Sequence, residues 1–362
     1  MKIAIDGYEA NVLQRLGSSQ VAFELLKNLE KIDGKNVYTI LLPSHPLTDL
    51  PKEREGWKYK ILKPKRLWTR IALPLFLYTT KEKFDLIFSP THYIPRFSPF
   101  KRIVTIFDLS FLHFPELFDK KDLWQLKNWS KYSCLNAEKI ITISNSSKKD
   151  IHEQYGIALE KITVAYPGYN SDIFYPKKEK IEDNYIIYIG TIQPRKNLVR
   201  LIEAVSRIDN LKLLVVGKTK GEGREGWMYE DILNTPQKFG IEDRVIFTGF
   251  ISPEELVSLL SKSLAFIQPS LWEGFGIPVL EAMATGKPAL VSNTSSLPEV
   301  VGKAGLTFDP YSVDQIEQAI RAIVSDKKIR QKYSKLSLER VKKFSWGKMA
   351  KQVLKTFERI YP

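Results

Sequence analysis

Short, continuously apolar runs alternate with longer amphipathic stretches along the chain, and this pattern occurs twice. The strand-like runs are KIAID, VYTILL, DLIFS, RIVTIF, KIITIS and KITVAY in the first half, and YIIYIG, KLLVVG, RVIFTG, LAFIQP and PALVS in the second. Helix-like stretches such as residues 18–32 separate several of them. Runs without polar alternation indicate parallel strands that helices cover on both faces of a sheet. The pattern predicts two doubly wound, Rossmann-like α/β domains.

A polar, proline-bearing stretch interrupts the pattern near residues 168–184. We therefore predict an N-terminal domain over residues 1–170 and a second domain over residues 171–345. With 362 residues, the chain is long enough for two cores of ordinary size.

The composition is that of a globular cytoplasmic protein. Hydrophobic residues make up 43% and charged residues 27% of the chain. The opening MKIAIDGYEA reads as a strand and not as a signal peptide. Cys134 is the single cysteine, which excludes a disulfide framework and a cysteine metal site.

Positive charge is concentrated in one region. The net charge is +14, and residues 51–102 hold 13 basic and 4 acidic residues. Basic and apolar side chains interleave from Lys58 to Arg70, with Trp68 among them. Such a segment favours an anionic membrane surface, nucleic acid or phosphorylated substrates, and its simplest interpretation is a solvated lysine-rich face. We expect a protein that is cytoplasmic or peripheral on the inner face of the cell membrane.

Two glutamates flank a glycine turn in PSLWEGFGIPVLEAMATGKPALVS. Glu273 and Glu281 lie eight positions apart, with Gly274 and Gly276 between them. The glycines let the backbone approach a ligand, and helix N-terminal amides attract anions. Carboxylates fit such a site if they accept hydrogen bonds from hydroxyl groups, as in a sugar or a ribose.

Cations for phosphate come from a neighbouring loop, TIQPRKN, which follows a predicted strand. It carries Arg195 and Lys196 at a strand-to-helix turn. In open α/β sheets, ligands bind beyond the carboxyl ends of the strands, so both loops are expected at one site. The ligand that these two loops predict has hydroxyl groups at both ends and phosphates in the middle, as a nucleotide sugar does.

These motifs resemble those of glycosyltransferase family 4, the retaining nucleotide-sugar transferases with the GT-B fold. EGFGIPVLEAMATGKPALVSNTSSLPEVVGKAGLTFDP is similar to the Glu-x7-Glu region of that family, and IGTIQPRKNLVRLIEAV to its phosphate loop. TIFDLSFLHFPELF, ITISNSSKKDI and YPGYNSDIF resemble first-domain and linker segments. The resemblance implies two doubly wound Rossmann-like domains whose parallel sheets face a central cleft. It also implies that residues 346–362 form a helix crossing back to the first domain.

The resemblance implies a role for each matching residue. Arg195, Lys196 and Glu273 are the expected catalytic residues, with Glu273 holding the donor sugar and the two cations the diphosphate. The expected donor-binding residues are Gly17, Phe250, Gly274, Phe275, Gly276, Ile277 and Glu281, the last on the ribose. Asp108 and Ser144 are expected on the acceptor side.

Two positions depart from the family pattern. Phe107 stands where the family usually has a histidine near the transferred sugar, and Thr191 stands where it has an arginine. We therefore expect Phe107, in place of the usual histidine, to lower the activity or to change the preferred donor.

The expected reaction moves a hexose from a nucleotide sugar to a glycan or lipid-linked saccharide, with retained configuration. The resemblance favours mannose, from GDP-mannose, and the building of a surface polysaccharide. The chain contains no Asp-x-Asp, so we expect a metal-independent enzyme with no cofactor.

Two other classes of protein remain open from sequence. Gly221 to Gly226, GEGREG, matches the dinucleotide fingerprint of an NAD-dependent oxidoreductase. However, the preceding strand ends too early, and two glutamates would face the pyrophosphate. The alternative hypothesis of a basic nucleic-acid-binding protein is supported only by the net positive charge.

Overall fold

The computed structural model describes residues 1–177, 179, 184–217 and 229–360, and these residues form two compact units. The first comprises residues 1–113, 120–168 and 345–360, and the second comprises residues 114–119 and the described part of 169–344. The fingerprint at Gly221–Gly226 lies outside the described residues. Among the described residues, no helix combines the length and hydrophobicity that a membrane span requires.

The first unit contains a parallel sheet flanked by helices. Its strands are β1 (Lys2–Asp6), β2 (Val37–Leu42), β3 (Trp57–Ile61), β4 (Leu86–Ser89), β5 (Lys101–Ile106), β6 (Lys139–Thr142) and β7 (Ile162–Val164). Its first helices are α1 (Ser18–Ile32), α2 (Leu73–Thr79), α3 (Ser110–His113), α4 (Lys120–Asn136) and α5 (Asn145–Tyr155). The strand order is β3-β2-β1-β4-β5-β6-β7, and every described pairing is parallel. The order reverses between β1 and β4.

The second unit repeats this architecture. Its strands are β8 (Tyr185–Ile189), β9 (Lys212–Val216), β10 (Val245–Gly249), β11 (Ala265–Gln268), β12 (Ala289–Ser292) and β13 (Gly305–Phe308). Its helices are α6 (Leu198–Ser206), α7 (Tyr229–Leu233), α8 (Thr235–Lys238), α9 (Pro253–Lys262), α10 (Ile277–Ala284), α11 (Leu297–Val301), α12 (Val313–Ser325) and α13 (Lys327–Val341). The order is β10-β9-β8-β11-β12-β13, again parallel, and it reverses between β8 and β11. The predicted α/β class with two parallel sheets is confirmed.

The central strands are buried along their whole length, as the apolar runs predict. Every residue of β4, β8 and β11 is buried. Helices α6 and α12 cover one face of the second sheet with Leu201, Ile202, Ile316 and Ile320. Burial on both faces explains why these strands lack polar alternation.

The basic segment from Lys58 to Arg70 is not one amphipathic element. Lys58 to Ile61 belong to the edge strand β3, and a π-helical turn starts at Trp68. Trp68 is buried, and its indole N–H donates to Asp6 Oδ1 at 2.8 Å. Trp68 therefore belongs to the core of the first unit, and the interpretation that placed it on a surface is wrong.

The last described helix, α14 (Trp346–Glu358), completes the first unit. It packs against α1, and its Phe357 ring lies 5.2 Å from the Phe88 ring of β4. Phe357 and Val353 are fully buried. The end of the described chain is thus part of the core in which the chain begins.

We expect Phe357→Ala to lower the unfolding free energy of the first unit by about 3–5 kcal/mol, because it leaves a cavity against β4. Native-state hydrogen exchange of the β4 amides measures this loss. Lys355→Ala, on the exposed side of the same helix, is the control and should change little. Equal protection of β4 in both variants would show that α14 contributes little to this core.

Candidate active site

The two predicted loops lie together at the switch point of the second sheet. Arg195 and Lys196 occupy a 3₁₀ turn after β8, and Glu273 lies between β11 and α10. Strands β8 and β11 are neighbours, and the strand order reverses between them. This is the position at which doubly wound sheets bind ligands.

Glu273 is held by charged and polar donors from both loops. Lys196 Nζ donates to its Oε1 at 2.6 Å, and Arg195 lies 3.5 Å from its Oε2. Ser270 Oγ and Gln268 Nε2 also donate to Oε1, at 2.7 and 2.9 Å. Arg195 donates as well to the Trp272 carbonyl. Glu273 as a whole residue is 9% exposed, and its carboxylate is well supplied with donors.

This arrangement fixes the charge of Glu273. Burial alone would raise its pKa, but Lys196, Arg195 and the hydrogen bond from Ser270 lower the pKa to about 2. Glu273 is therefore ionised at neutral pH. Two cations and one carboxylate leave a net charge of +1 facing any phosphate that enters.

Three residues that the sequence reasoning missed hold these loops in place. Asn197 is buried and donates to the Pro269 and Pro310 carbonyls. Ser295 accepts from the Glu273 amide, and Ser296 donates to the Glu273 carbonyl at 2.8 Å. The local run QPSLWE contains Gln268 and Ser270, so sequence analysis could have found their contacts with Glu273. The contacts of Asn197, Ser295 and Ser296 join residues far apart in the sequence and could not be found in this way.

The glycine turn positions the start of α10. Gly276 has φ of 101° and precedes Ile277, the first residue of the helix. This left-handed conformation favours glycine, and a Cβ on Gly276 would also lie 3.0 Å from Leu297 Cδ2, a tight contact. Gly274 is buried, and the buried Phe275 ring packs on Phe344, 5.7 Å away. Phe275 thus anchors the turn, and its ring belongs to the core.

Glu281 lies one turn further along α10 in a different electrostatic setting. No described residue donates a hydrogen bond to its carboxylate or pairs with it. Burial raises its pKa to about 7. Glu281 therefore keeps its acceptor capacity for a ligand.

Phe250, a predicted donor-binding residue, and Thr191, a departure from the family pattern, both follow strands of the second sheet. Phe250 follows β10 and is 61% exposed, which leaves its ring available for stacking. Thr191 follows β8, and its carbonyl accepts from the Tyr188 hydroxyl at 3.1 Å. Thr191 is therefore part of the turn that leads to Lys196.

The predicted residues of the first unit lie on loops of its own sheet. Gly17 is exposed, has φ of 55° and precedes α1. Asp108 accepts from the Ser110 amide at 2.9 Å, and the buried Ser144 caps α5. Asp108 and Ser144 thus have local structural contacts, and their acceptor role stays a prediction.

Phe107 also follows a strand of the first sheet, β5. It is buried, and His92, in the segment after β4, packs edge-on against its ring with the centroids 5.2 Å apart. His92 has φ of 28°, a left-handed conformation that costs energy in a residue other than glycine. The imidazole contacts Phe107, a neighbour that the sequence did not predict.

Within the described ranges, no group of three or more His, Cys, Asp or Glu side chains is arranged to hold a metal ion.

Two family models match consecutive parts of the chain. Residues 17–173 match "Glycosyltransferase Family 4", and residues 171–340 match "Glycosyl transferases group 1". O-antigen chain mannosyltransferase B of Escherichia coli is 28% identical over 312 residues, covering 83% of this chain and 79% of that protein. The serotype-specific mannosyltransferase WbdA of Escherichia coli is 30% identical over 241 residues, covering 62% of this chain and 29% of that protein.

A solved structure gives the same fold. The sucrose-phosphate synthase of Thermosynechococcus elongatus matches with a TM-score of 0.80 and 21% identity, covering 99% of each chain. The parallel sheets, the loop motifs and the two family models agree, and the chain belongs to the family 4 glycosyltransferases of the GT-B fold.

Proposed function

We propose that this glycosyltransferase moves a hexose, with mannose favoured, from a nucleotide sugar to a saccharide or lipid-linked saccharide of a surface polysaccharide. The observation that carries the proposal is the buried Lys196–Glu273–Arg195 network at the switch point between β8 and β11. The names of the mannosyltransferase relatives support mannose as the sugar. No observation favours an oxidoreductase or a nucleic-acid-binding protein.

In the proposed reaction, the leaving nucleoside diphosphate is stabilised by charge. Lys196 and Arg195, with the N-terminal amides of α10, face negative charge that grows as the glycosidic bond breaks. The acceptor hydroxyl forms the new bond to the anomeric carbon on the leaving-group face, and a donor phosphate oxygen takes its proton. That route retains the anomeric configuration. The sequence offers no Asp-x-Asp to hold a metal on the diphosphate, so we propose that none is needed.

We propose distinct positions for the two glutamates along the donor. Glu281, with its free acceptor oxygens, takes the ribose hydroxyls, and Glu273 with the Gly274–Gly276 backbone takes the transferred sugar. Phe250 flanks the base.

The basic segment from Lys58 to Arg70 is proposed to bring the enzyme to an anionic membrane surface. Leu67 is 50% exposed and Ile71 43% exposed, beside Arg66 and Arg70. Exposed apolar side chains next to cations are typical of proteins that bind the membrane interface.

A panel of nucleotide sugars tests the proposed function. The true donor should raise the melting temperature by an amount set by its concentration over its Kd, and it alone should be hydrolysed or transferred. We expect GDP-mannose to give the largest shift and turnover, unchanged in EDTA. A panel without any shift would contradict the transferase assignment, and a loss of turnover in EDTA that added metal restores would contradict the metal-independent route.

Lys196→Gln should lower kcat by about 10²–10³, the cost of removing one preorganised donor. It should also lower the melting temperature, because breaking a buried pair costs about 3–5 kcal/mol. The double variant Lys196→Gln/Glu273→Gln also removes the buried carboxylate that has lost one of its two cations. Its melting temperature should recover while its turnover stays low.

Lys342→Gln is the matched control, because Lys342 pairs with Glu339 on the surface. It should leave the melting temperature and kcat near those of the wild type. Normal turnover in Lys196→Gln at saturating donor would mean that other groups hold the diphosphate.

Donor affinity should rise about tenfold between pH 6 and pH 8. Ribose hydroxyls donate to the ionised form of Glu281, and the pKa of Glu281 in the unliganded protein is about 7. Calorimetry with the intact nucleotide sugar measures this, since its diphosphate diester does not titrate in that range. Glu281→Gln should bind more weakly and lose the pH dependence. The same profile in wild type and variant would assign the titration to another group.

A further inference from the structure

The first unit carries a pocket to which the reaction assigns no role. It lies among the turn after β3, the segment after β4 and the helix α4. Its lining includes Arg70, Tyr93, Arg96, Trp129 and Tyr132. Two cations and three aromatic rings meet in this concavity.

Both arginines are fixed over aromatic rings of the same helix. The Arg70 guanidinium carbon lies 4.2 Å from the Trp129 ring centroid, and that of Arg96 lies 4.0 Å from the Tyr132 centroid. Trp129 and Tyr132 are three positions apart on α4 and so share a face. The Arg96 amide also donates to the Thr69 carbonyl at 2.9 Å, which ties the two arginine-bearing segments together. Both guanidinium groups therefore lie over the same face of α4.

Neither guanidinium has an acidic partner. Among the described residues, no carboxylate lies within ion-pair distance of Arg70 or Arg96. Both guanidinium groups are donors only, so a ligand that pairs with them is an acceptor with negative charge. Paired arginine forks match the oxygens of a phosphate.

Each of the two arginines has an exposed apolar neighbour in the sequence. Ile71 adjoins Arg70 and is 43% exposed, and Phe97 adjoins Arg96 and is 60% exposed. Free inorganic phosphate would leave these side chains in water, whereas a phosphate attached to a lipid would cover them. The combination selects a phospholipid over a soluble anion.

We propose that Arg70 and Arg96 bind the phosphate of an anionic phospholipid, with Ile71 and Phe97 against the lipid. The inference rests on the proposed membrane contact of Lys58–Arg70 and adds to it a defined headgroup site. General electrostatic attraction would respond only to surface charge. A headgroup site must distinguish phosphate from other anions of equal charge.

The test compares two kinds of phosphatidylcholine vesicle with matched surface charge, one containing phosphatidic acid and the other oleate. Wild-type protein should bind the phosphatidic acid vesicles at least about tenfold more tightly, the factor expected for one charge-assisted hydrogen bond. Arg70→Gln/Arg96→Gln should lose this preference. Arg70→Lys/Arg96→Lys keeps the charge but not the fork and should lose the preference too.

Lys63→Gln/Lys65→Gln removes the same charge from exposed positions of the same segment. It should weaken binding to both vesicles equally and keep the preference for phosphatidic acid. The donor-induced thermal shift should stay normal in all three double variants, which shows that they are folded. No preference in the wild type would overturn the headgroup site and leave the membrane contact standing. No binding to either anionic vesicle would overturn both the headgroup site and the membrane contact. The panel of nucleotide sugars tests the transferase activity independently of these results.

Discussion

A buried carboxylate between two cations organises the ligand-facing edge of the second unit. Glu273 accepts from Lys196 on the loop after β8 and from Ser270 on its own loop after β11. Ser295 and Ser296, after β12, bind its backbone. A buried ion pair contributes little net stability by itself, because desolvation offsets most of the attraction. Its effect here is geometric, since three loops from adjacent strands share one centre.

Two glutamates eight residues apart behave differently because their neighbours differ. Glu273 has a pKa of about 2, and Glu281 a pKa of about 7, although burial acts on both in the same direction. The cations on the β8 loop account for the difference. Glu273 has therefore committed most of its acceptor capacity before a donor arrives, whereas Glu281 has not. Residue type alone would have assigned the two positions similar chemistry.

The sequence predicts what local pattern determines. Strands such as β4 and β11 are buried on both faces, so their apolar runs identify them. Two edge strands, β3 and β13, were not predicted, because WKYKI exposes its lysines and GLTF begins with glycine. Edge strands bury less of their surface, and their composition approaches that of loops.

Long-range contacts set the limit of prediction at the site. The sequence placed Arg195, Lys196 and Glu273 on neighbouring loops, but it did not predict that they pair with one another. Asn197 looks like an ordinary helix start, yet it holds two prolyl carbonyls, one of them 113 positions away. Trp68 was read as part of a surface segment because its partner Asp6 lies 62 positions earlier. Such partners become visible only when the sheet order is known.

The charged side chains discussed in the two units also differ in their exposure to solvent. The Lys196–Glu273 pair is buried, with 12% and 11% of the two side chains exposed. Arg70 and Arg96 are exposed, and residues 51–102 carry the basic surplus of the first unit. Salt screens exposed charges beyond roughly 10 Å at 0.1 M but acts weakly on buried pairs. Ionic strength should therefore weaken contacts of the first unit with an anionic surface while leaving the donor network intact. In the proposed function, donor recognition would then depend on fixed geometry, and attachment to a membrane surface on ionic strength.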